Sequence, residues 1–566
     1  MSSFKERFLF FSTNPRNPKL IKLILQVIKD NGLNNQDYNE DVQAAFYRYY
    51  TKASASKGGN SNTPILSGRQ LLTRAPQALG FLRARKGHNL EISEAGNLLL
   101  DNDLYEDVLL HQLLKFQLPS PLHHESEINK GLFCIKPFLE ILRLTDTLGY
   151  LTYKEFLIYA MMMTDYHQFN DTVNQIKDYR SRRTAVKGHK SLKEFDHQEQ
   201  LQVFKFKYHD LIEKGDFKTR ESKTPDVESF MKKKISNWND YADAIFRALR
   251  ETGLFVLSGG KTLSISSKRA NEVAYILQNV ERTPVSENEN RDDFDTYMFD
   301  PTQPKLLNDD LQRIKQQLNS LNIKFSAAAS VYELKKCLAK YRFNQRQNTI
   351  SRMADRLKQR RREDIKDILN TYEAIKNRDV VDRPTMMEWN TWRAVTMLDH
   401  GNIKGNFIPD DQGNPISTAS GNQGDIIGDY GNFHIVYEVT LSTGHTQYKM
   451  ESEPVTRHVG TLQKSSHQPA FGFFIANKLN PTTIQYFYTS AVMVSDLYGG
   501  STSVIPLGLD DFIKFFKGAA KKVLSEQDLQ SLCEYAMNTA KENMINGKPM
   551  EAWYKNIRKH ALQMVE

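Results

Sequence analysis

The sequence predicts a multidomain α+β protein, and three observations carry that prediction. The chain has 566 residues, which corresponds to about four domains or subdomains at roughly 150 residues each. A strand–turn–strand pattern recurs in the first half and is followed by a long charged stretch of helical pattern, while the last third combines strand and helix patterns. With 40% hydrophobic and 25% charged residues, the composition excludes wholesale disorder.

The recurring pattern is a weak internal repeat. Residues 79–96 read LGFLRARKGHNLEISEAG, and residues 252–269 read TGLFVLSGGKTLSISSKR. Each copy follows a helical pattern and gives a strand, a glycine-containing turn, a second strand and a new helix, with Ser93 and Ser266 as predicted N-caps. This order is typical of winged-helix modules, and two copies predict a tandem reader of duplex DNA over residues 1–130 and 131–300. A pair of generic hairpins that cap helices remains the alternative.

Basic side chains accompany this repeat. The net charge of +9 is compatible with a polyanionic partner but does not establish one. Mobile cations suit phosphate binding because much of the affinity comes from released counterions. Each basic cluster, considered by itself, could also be an ordinary charged surface that faces water. The candidate DNA-binding residues in the clusters are Arg83, Arg85, Lys86, Arg180, Arg182 and Arg183.

Two segments separate the repeat from the last third. The stretch from Thr283 to Pro304 is acidic and rich in asparagine, which predicts an exposed connector. Residues 301–380 are then predicted to be a helical linker, because the chain is charged and has no proline or glycine from Ser320 to Arg378. This linker is either a simple spacer between domains or a segment that also contacts DNA phosphates.

The last third, residues 381–566, is predicted to be an α/β domain that carries four acidic residues of interest. Glu388 lies on a predicted helix, Asp425 follows a glycine-rich turn and Glu438 lies on a strand. Gln447 begins a second predicted helix, on which it shares one face with Glu451. Phosphodiester hydrolysis needs a divalent cation held by oxygen ligands, which carboxylates from a turn, a strand and a helix supply. The alternative is that the four acids are surface charges that do not form a site.

Four segments resemble the AlwI family of type IIS restriction endonucleases, which includes relatives that nick one strand. They are EWNTW at 388–392, AxGNQxD ending at Asp425, EVT at 438–440 and QYKMESEPVTRH at 447–458. Weaker similarity extends to residues 115–120 and to residues 12–18, where Arg16 is a further candidate DNA-binding residue. The last of the four segments is long enough to be specific, whereas EVT alone is not.

The resemblance implies a C-terminal nuclease domain of the PD-(D/E)XK fold, preceded by winged-helix-like DNA-recognition subdomains. It implies Mg²⁺-dependent cleavage of double-stranded DNA outside a short asymmetric site of the GGATC or GAGTC kind. Asp425 and Glu438 carry over as metal ligands, and Glu388 and Glu451 as supporting catalytic acids. Implied partners are a companion DNA methyltransferase and, for double-strand cleavage, a transient homodimer or a second nuclease subunit. A nicking endonuclease and a DNA-binding regulator with a degenerate nuclease domain are the alternatives.

Two residues depart from the nuclease pattern. Gly424 stands where proline precedes the aspartate, and Thr440 stands where the usual catalytic lysine would be. The glycine matters little, since that position supplies backbone. Activation of water would then fall to Glu451, to Lys449 or to a second metal ion.

Two further expectations follow from the sequence. No apolar run is long enough for a membrane span or a signal peptide, so we expect a cytoplasmic protein without membrane association, and the resemblance implies a prokaryotic one. The cysteines Cys134, Cys337 and Cys533 are far apart in the chain, so they indicate neither disulfides nor a zinc site.

Overall fold

The structure is a computed structural model that describes residues 6–54, 62–123, 131–218, 226–285, 291–399, 401–418 and 423–566. It divides into two compact units, residues 1–344 and 345–566. The division falls inside the predicted linker, so residues 301–344 belong to the first unit and residues 345–380 to the second. Within the described ranges, no helix is long and apolar enough to cross a membrane.

The first unit is mostly helical. In chain order its helices are α1 (Lys19–Asp30), α2 (Glu40–Ala53), α3 (Pro64–Thr73), α4 (Ala75–Ala78), α5 (Glu94–Leu99), α6 (Tyr105–Lys115), α7 (Pro137–Leu148), α8 (Tyr153–Ile158), α9 (Phe169–Thr184), α10 (His189–Lys207), α11 (His209–Glu213), α12 (Val227–Arg250), α13 (Ala270–Asn279), α14 (Arg291–Phe299), α15 (Leu311–Ser320) and α16 (Val331–Lys358), which continues into the second unit.

Strand–turn–strand elements are present at both copies of the repeat. In the first copy β1 (Leu82–Arg83) pairs antiparallel with β2 (Glu91–Ile92). In the second copy β4 (Phe255–Ser258) pairs antiparallel with β5 (Thr262–Ile265), and β3 (Leu151–Thr152), from outside the repeat, pairs with the other edge of β5. The predicted alternation of helices and short strands is therefore confirmed in both places.

The two predicted N-caps behave differently. The Ser93 hydroxyl accepts a hydrogen bond from Gly96 N at 3.0 Å, so it caps α5 as predicted. Ser266 precedes a 3-10 turn over Ser267–Arg269 and makes no side-chain cap bond to it. The first cap prediction is confirmed and the second is wrong, because the chain enters α13 through that tighter turn.

The predicted exposed connector is only partly correct. Residues 286–290 lie outside the described part of the chain, but Arg291–Phe299 forms helix α14. Phe294, Asp295 and Met298 are buried on that helix, and Leu122 packs in the same apolar cluster. The acidic composition predicted exposure, whereas every third or fourth residue faces the interior.

The second unit is an α/β domain built on one mixed sheet. Its strands are β6 (Asn402–Gly405), β7 (Phe407–Pro409), β8 (Pro415–Thr418), β9 (Ile426–Asp429), β10 (His434–Thr440), β11 (Ala470–Ala476) and β12 (Ser503–Gly508). The sheet order is β12-β11-β10-β9-β6, and β7 pairs with β8 separately. Strands β10, β11 and β12 are parallel, whereas β9 is antiparallel to β10 and to β6.

Helices cover this sheet and connect its parallel strands. They are α17 (Arg362–Lys376), α18 (Arg383–Thr396), α19 (Gly444–Ser466), α20 (Pro481–Ser490), α21 (Leu509–Lys522), α22 (Glu526–Ile545) and α23 (Met550–Val565). All seven residues of β11 are buried, as expected for a parallel strand with both faces covered. The last third of the chain is thus a mixture of strands and helices, as predicted.

Helix α19 lies close to the centre of the sheet because β11 carries a glycine there. A Cβ atom on Gly472 would lie 2.9 Å from Val504 Cγ2 and 3.0 Å from Val459 Cγ2. A larger residue would push the helix outward. The close packing fixes α19 against β11, which is the strand beside β10.

Candidate active site

The β9–β10 hairpin brings Asp425 and Glu438 together. Ile426 pairs with Tyr437 in the antiparallel ladder, so the residue before β9 stands opposite the residue after Tyr437. Opposed residues of such a ladder have Cβ atoms roughly 5 Å apart. The two acids, separated by twelve residues in the sequence, therefore face the same region of the sheet.

Gly424 is required for this approach. A Cβ atom there would lie 2.4 Å from Val436 Cγ1 and 3.1 Å from Glu438 Oε1. A side chain would thus collide with β10 beside the glutamate. The departure from proline at this position has a steric reason, which the sequence alone did not reveal.

Backbone hydrogen bonds fix the aspartate. Val439 N–H donates to Asp425 Oδ2 at 2.9 Å, and Asn406 N–H donates to the Asp425 carbonyl at 2.8 Å. The carboxylate is consequently tied to the strand that carries Glu438. Its position does not depend on a flexible side chain.

Burial disfavours the charged form of both carboxyl groups. Burial, followed by repulsion from Glu438, raises the pKa of Asp425 well above its usual range. Burial raises the pKa of Glu438 to about 8, with Glu451 adding to the shift. Glu438 is only 7% exposed, so water screens this repulsion poorly. A positive charge placed between the two groups would relieve both effects.

Glu451 reaches the same region from α19. Thr440 donates its hydroxyl hydrogen to Glu451 Oε1 at 2.8 Å, and Thr440 lies two residues beyond Glu438 on the same face of β10. The position of the usual lysine is therefore occupied by a hydroxyl that orients a carboxylate. Lys449 is exposed and stands about 200° around the helix from Glu451, so it faces elsewhere.

Gln447 anchors the start of the same helix. It is fully buried, and its Nε2 donates to the carbonyls of Ser442 at 2.8 Å and Lys478 at 2.9 Å. Its Oε1 accepts a hydrogen bond from Asn480 N at 2.7 Å. Gln447 and Glu451 share one face of α19, as predicted. The hydrogen bonds of the Gln447 amide fix the start of the helix that carries Glu451.

His458 is a site residue that the sequence analysis missed. Its Nδ1 lies 2.6 Å from Glu438 Oε1, in a hydrogen bond. Burial, and then the charge of Arg457, lower the pKa of His458, which favours the neutral imidazole. The available signal was its spacing of seven residues, two helical turns, from Glu451 within the segment 447–458.

Glu388 is half-buried on α18, a helix that packs against β6, β8 and β10. Its neighbour Trp389 donates its indole N–H to the Gly413 carbonyl at 2.9 Å. Residues 419–422, part of the segment that led to Asp425, lie outside the described residues. The supporting role of Glu388 stays a prediction.

The acid pair suits a hard divalent cation. In the described ranges, no group of three or more His, Cys, Asp or Glu side chains is placed to hold a metal ion. Two carboxylates can nevertheless be sufficient, since Mg²⁺ is commonly held by one or two carboxylates, waters and substrate phosphates. The oxygen-only donor set of Asp425 and Glu438 and the raised pKa values of both groups fit such an ion.

Three of the arginines predicted to bind DNA are engaged within the first unit. Arg180 pairs with Glu155 at 2.7 Å, Arg182 with Glu199 at 2.6 Å and Arg183 with Asp196 at 2.8 Å. All three acids are buried. These bridges join α9 to α8 and α10, and contact with DNA stays a prediction for the arginines.

The remaining candidates divide between paired and exposed cations. Arg16 pairs with Asp240 at 2.9 Å, and Arg83 pairs with Glu91 at 2.8 Å. Arg85 and Lys86 are exposed in the turn between β1 and β2. The turn therefore presents two of the predicted cations to solvent.

Solved structures of restriction enzymes are similar to parts of the chain. The small subunit (R.BspD6I2) of the heterodimeric restriction endonuclease R.BspD6I is 25% identical, with 34% of this chain and 98% of that chain covered and a TM-score of 0.29. The BpuJ1 endonuclease binding domain, solved in complex with pyrene- and phenanthrene-modified DNA, is 13% identical, with coverage of 52% and 97% and a TM-score of 0.33. No curated protein matches the sequence.

The match to a family model extends over most of the chain, well beyond the segment that holds the four acids. The family model of the AlwI restriction endonuclease matches residues 77–515, which is more than half of the sequence and includes every predicted catalytic acid. The chain therefore belongs to the AlwI restriction endonuclease family and is a site-specific, DNA-cleaving enzyme.

Proposed function

We propose that the protein is a type IIS restriction endonuclease. It binds a short asymmetric site, of the GGATC or GAGTC kind, and uses Mg²⁺ to hydrolyse phosphodiester bonds at a fixed distance outside that site. The observation that carries the proposal is the buried pair of Asp425 and Glu438, whose pKa values are both raised. Such a pair is costly to bury without a cation and is therefore expected to have a function.

The chemistry is divided among a few side chains. Mg²⁺ held by Asp425 and Glu438 would polarise the phosphate and lower the pKa of a bound water. Glu451, held by the Thr440 hydroxyl, is the group that we assign to accept the proton of the attacking water. Glu388 supports the site as a further acid. Lys449 is left out of the mechanism because it is exposed on another side of α19.

The cleavage domain is proposed to have the PD-(D/E)XK fold. The strand order and the positions of Asp425 and Glu438 on an antiparallel hairpin beside parallel strands support this assignment. Thr440 and Glu451 together would replace the lysine of that motif. Their hydrogen bond keeps a carboxylate, not an ammonium group, at the place where water is activated.

Recognition is assigned to two winged-helix-like subdomains of the first unit. Helices α1, α2 and α3 precede the β1–β2 hairpin, and α7, β3, α8 and later α12 precede the β4–β5 hairpin. An isolated bridge joins Asp37 to Asn89, so the first hairpin also has a third extended neighbour. Helices followed by a small wing are a common arrangement for placing a helix in the major groove.

One acid pair cuts one strand at a time. A single chain is thus expected to nick DNA, and double-strand cleavage would require a transient homodimer, a second nuclease subunit or two successive nicks. A strand-specific nicking endonuclease is accordingly the second candidate function. A companion DNA methyltransferase would protect the same site in the host.

Cleavage of supercoiled plasmid tests this assignment. Wild-type protein with Mg²⁺ should give discrete products, EDTA should prevent their formation, and sequencing of the ends should give one site and fixed offsets. Asp425→Asn should bind the same duplex without cutting it. Retained cleavage by that variant would contradict the proposed site, and wild-type binding without cutting would favour a regulator. Open circles that never become linear would identify the nicking enzyme.

A further inference from the structure

Helix α14 ends on the buried amino group of a lysine. Lys115, fully buried at the end of α6, donates from Nζ to the carbonyls of Tyr297 at 3.1 Å, Met298 at 2.8 Å and Asp300 at 2.6 Å. Gln112 Nε2 also donates to the Met298 carbonyl, at 2.6 Å. The last carbonyls of a helix lack helical partners, so hydrogen-bond donors placed there stabilise the end. The end of α14 is therefore fixed to α6.

The side of α14 contacts the β1–β2 hairpin through Arg83. The Nε atom of Arg83 lies 3.8 Å from Asp295 Oδ2, and its guanidinium carbon lies 5.2 Å from the centroid of the Phe299 ring. Its Nη1 donates to Glu91 Oε2, on β2, at 2.8 Å. Asp295 is 1% exposed, so little water screens its attraction to Arg83. Arg83 thus joins both strands of the hairpin to one helix.

The hairpin depends on contacts outside its own ladder. Its two registered pairs are Leu82 with Ile92 and Arg83 with Glu91, and so short a ladder is marginal by itself. On the β2 side, Tyr38 N–H donates to the His88 carbonyl at 3.0 Å. On the β1 side, the Gln77 side chain accepts from Ala84 N at 3.0 Å, and α14 holds Arg83.

We propose that α14 is a positioning element for DNA recognition. Asp295 and Phe299 hold Arg83, and Arg83 sets the orientation of the hairpin whose turn carries Arg85 and Lys86. Arg83 is in this account a positioning residue and not a phosphate contact. The inference rests on the proposed function, because it takes the hairpin to be a wing that contacts DNA.

Because Asp295 is negatively charged, its removal should change DNA affinity in opposite directions if it acts only through its charge or if it positions the wing. A negative charge near DNA weakens binding, so its removal would by electrostatics alone strengthen binding to any duplex. If Asp295 instead holds the wing in place, its removal weakens binding to the specific site. Asp293 provides the matched control, since it lies on the same helix with the same charge and is exposed.

The experiment uses the full chain in EDTA with two duplexes of equal length. One contains the site found by sequencing the cleavage ends, and the other is its scrambled sequence. We expect Asp295→Asn to lower affinity for the specific duplex about five- to tenfold, with affinity for the scrambled duplex within about twofold of wild type. Asp293→Asn should leave both affinities unchanged or slightly higher. Phe299→Leu should repeat the Asp295→Asn result without any change of charge.

Thermal unfolding of each variant shows whether the first unit still folds, and Phe299→Leu carries the test if Asp295→Asn does not fold. The inference is overturned if both variants bind the specific duplex as tightly as Asp293→Asn, or lose affinity for the two duplexes equally. A wild-type protein that binds both duplexes equally overturns the proposed function, and this inference with it. The two failures are therefore distinguishable.

Discussion

His458 and Glu438 form a hydrogen bond of 2.6 Å between Nδ1 and Oε1, which ties α19 to the central strand β10. This bond occupies one oxygen of the carboxylate and fixes its plane. His458→Ala should therefore lower the cleavage rate about 10- to 100-fold and raise the Mg²⁺ concentration needed for half-maximal rate. Rates measured over a Mg²⁺ series separate the two effects. His445→Ala, at an exposed position of the same helix, serves as the control and should cut normally.

The raised pKa of Glu438 predicts a stability that depends on pH. Its carboxyl ordinarily titrates at 4.5 but in the folded protein at about 8, so folding favours the protonated form. The contribution of Glu438 to the stability of the metal-free enzyme should therefore be most favourable below about pH 4.5 and should be lost as the pH rises towards 8. Glu438→Gln removes that dependence and should be more stable than wild type at pH 8 by about 1–3 kcal/mol.

Denaturant unfolding in EDTA at pH 5 and pH 8 measures the difference. A Glu438→Gln variant that is less stable than wild type at pH 8 would show that the carboxylate is satisfied without a cation. Added Mg²⁺ should stabilise wild type at pH 8 and leave the variant nearly unchanged, since a ligand stabilises only the state that binds it.

Glu451 and Lys449 differ in their expected contribution to catalysis. Glu451→Gln keeps the size of the side chain but removes its capacity to accept a proton, so single-turnover cleavage should fall about 100-fold or more. Lys449→Ala should cut within about twofold of wild type, because the ammonium group is exposed on another side of the helix. Specific binding should be intact in both. The reverse pattern would return the lysine to the mechanism.

Gly424→Ala tests the steric condition for the acid pair. The added Cβ would lie 2.4 Å from Val436 Cγ1, so β9 or β10 must shift. We expect a loss of about 1–3 kcal/mol in stability and a much larger loss of cleavage than of DNA binding. Gly508→Ala is the control, since the nearest atom to its Cβ would be Asp511 Oδ2 at 3.9 Å. Normal cleavage by Gly424→Ala would show that the hairpin tolerates displacement.

Local pattern predicted the elements of the second unit that carry the acids well. It placed Glu438 on a strand and Glu451 on a helix, and Asp425 lies beside Glu438 because antiparallel neighbours are close in sequence. His458 was missed because its partner lies across the helix–sheet interface. The spacing of Glu451 and His458 indicates a shared helix face but not that this face packs against Glu438.

Tertiary partners also decided the surroundings of the basic residues. Arg182 and Arg183 form part of a basic run, but Glu199 and Asp196 on the next helix pair with them. The composition of α14 predicts an exposed connector, because its buried contacts, such as Lys115, lie nearly two hundred residues earlier in the chain. Composition describes a segment's own side chains and says nothing of groups that the fold brings to it.

The close contact between position 424 and Val436 has a consequence for how related nucleases are identified. A proline ring needs even more room at this position than an alanine methyl group does. Val436 is thus expected to exclude proline from position 424 of this chain. A search pattern that requires proline before the hairpin aspartate would therefore overlook this sequence.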